Sequence, residues 1–205
     1  MTRRATSQPE ADALHRLRGI RGVFRTGQTR QLGIPSRTLR RLRDNGHVDQ
    51  LSRGVYRLAS LAAPSDPDLL IVAARLPQAV LCLVSALAFH DLTDEIPHEV
   101  HVALPRGAEQ PRLDHPPLHV VRLRPAPFQA GIEVHRQDGV DLRVYSPAKT
   151  VADCFRFRGQ VGLETAMKAL KALRKRRGFD PEELLRFAKI CRVERTVRPY
   201  LEAIL

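Results

Sequence analysis

The sequence predicts an α+β chain in two parts: a small basic N-terminal domain over residues 1–62, and a larger mixed domain over 63–205 with a β-sheet and a C-terminal group of helices. Three observations predict it. Residues 16–57 carry eleven arginines against two acids, Asp44 and Asp49, a local charge of +9. Ala62-Ala63-Pro64-Ser65-Asp66-Pro67 reads as a linker, with prolines, small residues and capping side chains ahead of a new helix. Beyond it, five short β-patterned runs precede a succession of segments with helical apolar spacing.

In the first part, Thr26 opens a short helix to about Leu32, Gly33-Ile34 makes a tight turn, and Pro35-Ser36 opens a second helix. Proline in a first turn forfeits no helix hydrogen bond. The second helix places Leu39 and Leu42 on one face, and Gly46 suits its end. His47–Leu51 and Val55–Leu58 read as strands joined by Ser52-Arg53-Gly54, with Gly54 at the left-handed position of a three-residue hairpin loop. Helix, turn, helix and hairpin together make a winged helix-turn-helix.

In the second part, residues 66–76 form a helix with Leu69, Leu70, Val72, Ala73 and Leu76 on its apolar positions. Strands are expected at 80–83, 99–104, 118–123, 132–136 and 142–145, with Asp138-Gly139 turning between the last two. Ser146-Pro147 caps a helix to about Phe157, and 161–177, 180–190 and 193–205 are helical.

The net charge of +12, with 29 Arg and only 5 Lys, points to an anionic partner. Arginine makes bidentate contacts with guanine edges and phosphates. At 100° per residue, Arg37, Arg40 and Arg41 oppose the Leu39–Leu42 face of the second helix, and Ser36 sits at its tip. These are the candidate major-groove readers of double-stranded DNA. Arg53 at the hairpin tip reaches the minor groove or phosphates, and Thr26, Gln28 and Thr29 are candidate phosphate contacts. A second basic run, Lys168, Lys171, Arg174, Lys175, Arg176 and Arg177, lies on a helix whose apolar face is Leu163, Ala166, Leu170 and Leu173. It reads first as the wet side of that helix. Lys149 and Asp153, four apart, read as a salt bridge or as part of a surface patch.

No catalytic constellation, metal site or cofactor is expected. His90, His98 and His101, with Asp91, Asp94 and Glu95 among them, lack a spacing that fixes two ligands on one helix face. Gly131 and Gly139 stand alone, Ser85 and Ser146 read as helix caps, and neither Glu99 nor Glu133 has a lysine two residues on. Cys82, Cys154 and Cys191 form no C-x-x-C pair. The longest apolar run, 79–89, falls short of the roughly 20 residues that span a bilayer. Met1-Thr2-Arg3-Arg4 has no apolar segment behind it. A cytoplasmic protein, monomer or dimer, without a membrane partner, is expected.

Val23-Phe24-Arg25-Thr26, the run from Gly33-Ile34-Pro35-Ser36-Arg37 to Leu42, Gly46, and Arg53-Gly54-Val55-Tyr56 resemble the N-terminal domain of the AbiEi family of antitoxins. Ser85-Ala86-Leu87-Ala88-Phe89-His90, Pro105-Arg106-Gly107 and Tyr145-Ser146-Pro147-Ala148-Lys149-Thr150-Val151-Ala152-Asp153 look like landmarks of its longer domain. The resemblance implies an antitoxin that represses its own two-gene operon by binding promoter inverted repeats. It also implies that the second domain neutralises a nucleotidyltransferase-like toxin, classical members doing so without a stable complex. Lys149, Asp153, Lys168, Lys171 and Lys175 are then candidate surface residues of the antitoxin domain. The alternatives are an antitoxin that sequesters its toxin directly, or a winged-helix nuclease or nucleotidyltransferase.

Overall fold

The computed structural model describes residues 7–205. The chain is α+β and divides into two compact units. Within the described residues the first unit runs to Pro77 and takes in Arg136–Leu142; the second comprises Gln78–His135 and Arg143–Leu205.

The first unit opens with α1 (Gln8–Arg18), where the Ser7 amide donates to the Glu10 carboxylate at 3.1 Å. Next come β1 (Val23–Arg25), α2 (Thr26–Gln31), α3 (Ser36–Asp44), β2 (Val48–Ser52) and β3 (Val55–Leu58). The three strands form an antiparallel sheet in the order β1-β3-β2, with a register irregularity between Gln50 and Ser52 beside the hairpin tip. Leu17, Phe24, Ile34, Leu39, Leu42 and Val48 form its core. Neither α1 nor β1 is foreseen by the sequence reading. Only Ala13, Leu14 and Leu17 of α1 pack on the core, and three residues of β1 are too few to show alternation.

α4 (Pro67–Arg75) begins at Asp66, whose carboxylate accepts from the Leu69 amide at 3.2 Å. Its Leu70 and Ala74 pack with Val23 and Val55 in a second cluster, joined by Leu51 and Val140. The boundary expected at 62–63 therefore falls inside the first unit, because α4 buries its apolar face against the winged sheet.

The Val23 amide donates to the Asp138 carbonyl at 2.7 Å, and there Gly22 adopts φ +109°. A Cβ on Gly22 would lie 1.8 Å from that carbonyl oxygen. Left-handed strain alone costs a non-glycine residue about 1–2 kcal/mol. Gly22→Ala adds a backbone clash, so its thermal midpoint is expected to drop by more than that strain accounts for. A midpoint within a degree of wild type would remove this packing from the account.

The second unit holds most of a five-stranded sheet in the order β6-β5-β4-β8-β7, the turn between β7 and β8 with its flanking residues, Arg136–Leu142, being counted in the first unit. The strands are β4 (Val80–Leu81), β5 (Val100–Pro105), β6 (Leu118–Leu123), β7 (Ile132–Gln137) and β8 (Val140–Tyr145). β4 is antiparallel to β5 and parallel to β8, and β5 is parallel to β6. The strand expected at 80–83 is cut to two residues because Leu83 already begins α5 (Leu83–Phe89). Ser85 is consequently a buried residue of α5 and no cap; its hydroxyl accepts from the His101 amide at 2.9 Å. The Gly-poor connection after β6 contains α6 (Pro125–Gln129). α7 (Pro147–Arg156) starts at the expected Ser146 cap and is buried continuously from Ala148 to Phe155. α8 (Arg158–Val161), α9 (Leu163–Lys175), α10 (Pro181–Ile190) and α11 (Glu194–Glu202) complete the helical group. A helix buried on every side, like α7, sits at the centre of its unit. Among the described residues no helix is long and apolar enough to cross a membrane.

Candidate nucleic-acid interface

α3 is fixed from beneath and from one side. Leu39 and Leu42 are buried, and the Arg43 guanidinium donates to Asp44 at 2.8 Å and to Gln50 of β2 at 3.0 Å. Ser36, Arg37, Arg40 and Arg41 are exposed, and among the described residues no acceptor engages those three guanidinium groups. Arg37 and Arg41 lie four residues apart, about 6 Å along the axis at 1.5 Å per residue, which matches roughly two base-pair steps. The outward face of α3 thus carries three uncommitted forks on a rigid support.

The hairpin tip is tied to the start of α2. The Thr26 amide donates to the Gly54 carbonyl at 3.1 Å, and the Arg75 guanidinium donates to the Arg53 carbonyl. Gly54 takes φ +80°, the left-handed turn position the sequence assigns it. The Arg53 side chain is exposed, and Thr26 is half-buried beside it.

Two of the expected phosphate contacts are altered by the structure. Thr29 is 1% exposed and its hydroxyl donates to the Thr26 carbonyl at 2.8 Å, so it is an internal tie and not a DNA contact. The Gln28 carbonyl oxygen accepts from the Arg25 amide at 2.7 Å and caps α2, leaving its amide NH2 outward-facing. Exposed Arg25 and Arg30, which the sequence reading did not single out, lie at the N-cap and in the last turn of α2. The arginine count over this stretch includes both, but the sequence pattern does not separate exposed arginines from structural ones. Arg16 and Arg57 are structural instead: Arg16 donates to the Leu32 carbonyl at 2.9 Å, and Arg57, 7% exposed, to the Ala62 carbonyl at 2.7 Å.

This helix-turn-helix and hairpin coincide with a known family's pattern. Residues 12–59 match the family model described as "Transcriptional regulator, AbiEi antitoxin". The AbiEi match runs from within α1 to just past β3, so it covers α2, α3 and the wing with every candidate DNA-contacting residue. The description is of a regulator and not of an enzyme family. Over the whole chain, the fold is similar to the crystal structure of the RV2827C protein from Mycobacterium tuberculosis. The TM-score is 0.54 at 15% identity, covering 97% of this chain and 82% of that one. No curated protein matches the chain.

Outside the AbiEi match, the candidate surface of the second unit separates into two kinds of residue. Lys149 and Asp153 are 0% and 1% exposed, which removes them from any surface patch. Their ammonium and carboxylate are directly hydrogen-bonded, Lys149 Nζ lies 4.0 Å from the Tyr145 ring centroid, and the Cys191 thiol donates to Asp153 at 3.2 Å. Burial, and then the Asp153 carboxylate, push the Cys191 thiol up to about 12, so it remains a donor at neutral pH. Burial likewise raises the Cys82 and Cys154 thiols well above their ordinary value. Gly131 leaves room for this arrangement, since a Cβ there would lie 2.8 Å from Cβ of Lys149. Lys168, Lys171 and Lys175 are exposed on α9, and Lys168 pairs with Glu164 at 2.8 Å. Two other members of that basic run serve as ties, Arg174 donating to the Leu205 carbonyl at 3.2 Å and Arg176 to the His90 carbonyl at 3.1 Å. His90 is itself buried, with Nε2 at 2.7 Å from the Tyr145 carbonyl, and burial lowers its pKa. It holds α5 to the end of β8.

Proposed function

We propose that the first unit binds double-stranded DNA, with α3 in the major groove and the wing on the flanking backbone, and that the chain is the antitoxin and repressor of a toxin-antitoxin operon. The observation that carries this reading is the set of exposed Arg37, Arg40 and Arg41 on α3, without an acceptor among the described residues, inside the segment that matches the AbiEi regulator model. Arg53, Thr26 and the Gln28 amide supply backbone contacts beside it. The operator is an inverted repeat in the chain's own promoter, and the toxin it opposes is nucleotidyltransferase-like.

A gel-shift titration of the purified chain tests this on DNA from directly upstream of its own gene, against a scrambled duplex of the same length. Specific affinity should exceed non-specific affinity by about 10³ or more at physiological salt. Equal affinity for both duplexes would reduce the basic face to general polyanion binding and refute the repressor reading.

A further inference from the structure

The second unit brings Glu99 and His101 together with His119, which lies on the next strand of the sheet. β5 and β6 run parallel with His101 directly beside His119 in register, and Glu99 immediately precedes β5, two residues before His101. One ligand-type atom from each of Glu99, His101 and His119 lies within 4.8 Å of the others. Nδ1 of His119 is 3.1 Å from the Glu99 carboxylate, and the two imidazole centroids are 4.8 Å apart. Two ligands on one tetrahedral zinc ion, at about 2.0–2.2 Å each, stand roughly 3.3 Å from one another. Small side-chain rotations would bring the set to that spacing.

The hydrogen bonds behind the imidazoles point the same way. Nε2 of His119 faces the Gln160 side-chain oxygen at 3.1 Å, and Nδ1 of His101 faces the Ser85 hydroxyl at 3.4 Å. Ser85 is in turn fixed by the His101 amide at 2.9 Å and lies 3.5 Å from the Glu99 carbonyl. In metal-binding histidines the nitrogen away from the ion donates to a partner of this kind, which sets the tautomer and the ring orientation. Here that leaves Nδ1 of His119 and Nε2 of His101 as the ligating atoms.

We propose that Glu99, His101 and His119 form a binding site for a divalent transition-metal ion, with zinc favoured by the two-imidazole, one-carboxylate donor set. Three protein ligands leave a fourth position for water. The ion joins the edge strand β6 to β5, and Gln160 links α8 to the same site. This inference is independent of the DNA-binding reading.

The test is titration of the tag-free full chain with Zn²⁺ alone in a calorimeter, and with Co²⁺ followed by visible absorption. One equivalent should bind, and Zn²⁺ should raise the melting temperature. Glu99→Gln and His119→Gln should each weaken binding at least tenfold, while His119→Cys, which keeps a zinc donor, retains it. His135→Ala, which removes a separate histidine–carboxylate pair, His135 with Glu133 at 3.3 Å, should bind as wild type does. Absence of stoichiometric binding by the wild type overturns the proposal. So does binding that is unchanged in both Glu99→Gln and His119→Gln. Comparing His119→Gln with His119→Cys separates loss of a ligand from loss of fold, because a merely structural histidine gains nothing from a thiol.

Discussion

Replacing Asp153 by Leu is expected to destabilise the chain by about 3–5 kcal/mol, because it leaves the Lys149 ammonium buried without its counter-ion. Lys149→Met strands the Asp153 carboxylate and should cost a similar amount. Against a typical total of about 5–15 kcal/mol, either change brings the protein near the edge of folding. The double variant Lys149→Met/Asp153→Leu behaves differently. It exchanges both charges for apolar groups of similar size, and such replacements of a buried pair are often neutral or stabilising. The Lys149 stem already lies against Gly131 and the Tyr145 ring, so a Met can follow the same course. Urea unfolding midpoints of the four proteins decide the matter. If the double variant loses as much as the two single variants summed, the pair is not coupled and the account of α7 as a helix organised around a dry ion pair is wrong.

The second large effect concerns DNA. Arg37→Ala, Arg40→Ala and Arg41→Ala should each lower affinity for the specific duplex by about 1–3 kcal/mol, or roughly 5- to 150-fold, where the arginine reads a base. Where it contacts a phosphate, the loss should be shared by all duplexes, and the slope of log K against log salt should shrink by about 0.9. Titrations on specific and scrambled DNA at several salt concentrations separate the two roles for each residue. None of the three has a protein acceptor among the described residues, so their melting temperatures should match wild type within a degree or two. Arg43→Ala provides the contrast: it breaks the contacts to Asp44 and Gln50 and should act on stability first. Three variants with wild-type affinity and salt slope would sink the assignment of α3.

The winged portion was legible because its punctuation is local. Gly33, Pro35, Gly46 and Gly54 each mark a turn or helix end that backbone sterics restrict, and the structure places all three glycines at positive φ. Thr29 was misread because position along a helix gives the direction of a side chain only once the packing face is known, and α2 offers six residues from which to judge it. The burial of Lys149 and Asp153 is a different kind of miss. A spacing of four looks the same on a wet helix as on a dry one. The neighbours Ala148, Val151, Ala152, Cys154 and Phe155 did carry the signal, since apolar residues on all sides leave no solvent face. The cluster of Glu99, His101 and His119 depends on the register of two parallel strands separated by a long connection, and single-sequence pattern holds no record of that register.

The inclusion of Arg136–Leu142 in the first unit has a consequence for how the protein is made. Val23 finds an acceptor in Asp138, and Val140 joins the cluster of Val23, Val55, Leu70 and Ala74, so this unit is completed by chain that lies well downstream. At about 5–20 residues per second, a nascent chain needs roughly 3–13 s to extend from Pro77 to Leu142. During that interval the Val23 amide still lacks the Asp138 carbonyl, and the apolar cluster of the first unit still lacks Val140. Completion of the first unit therefore waits until Leu142 has been added to the chain.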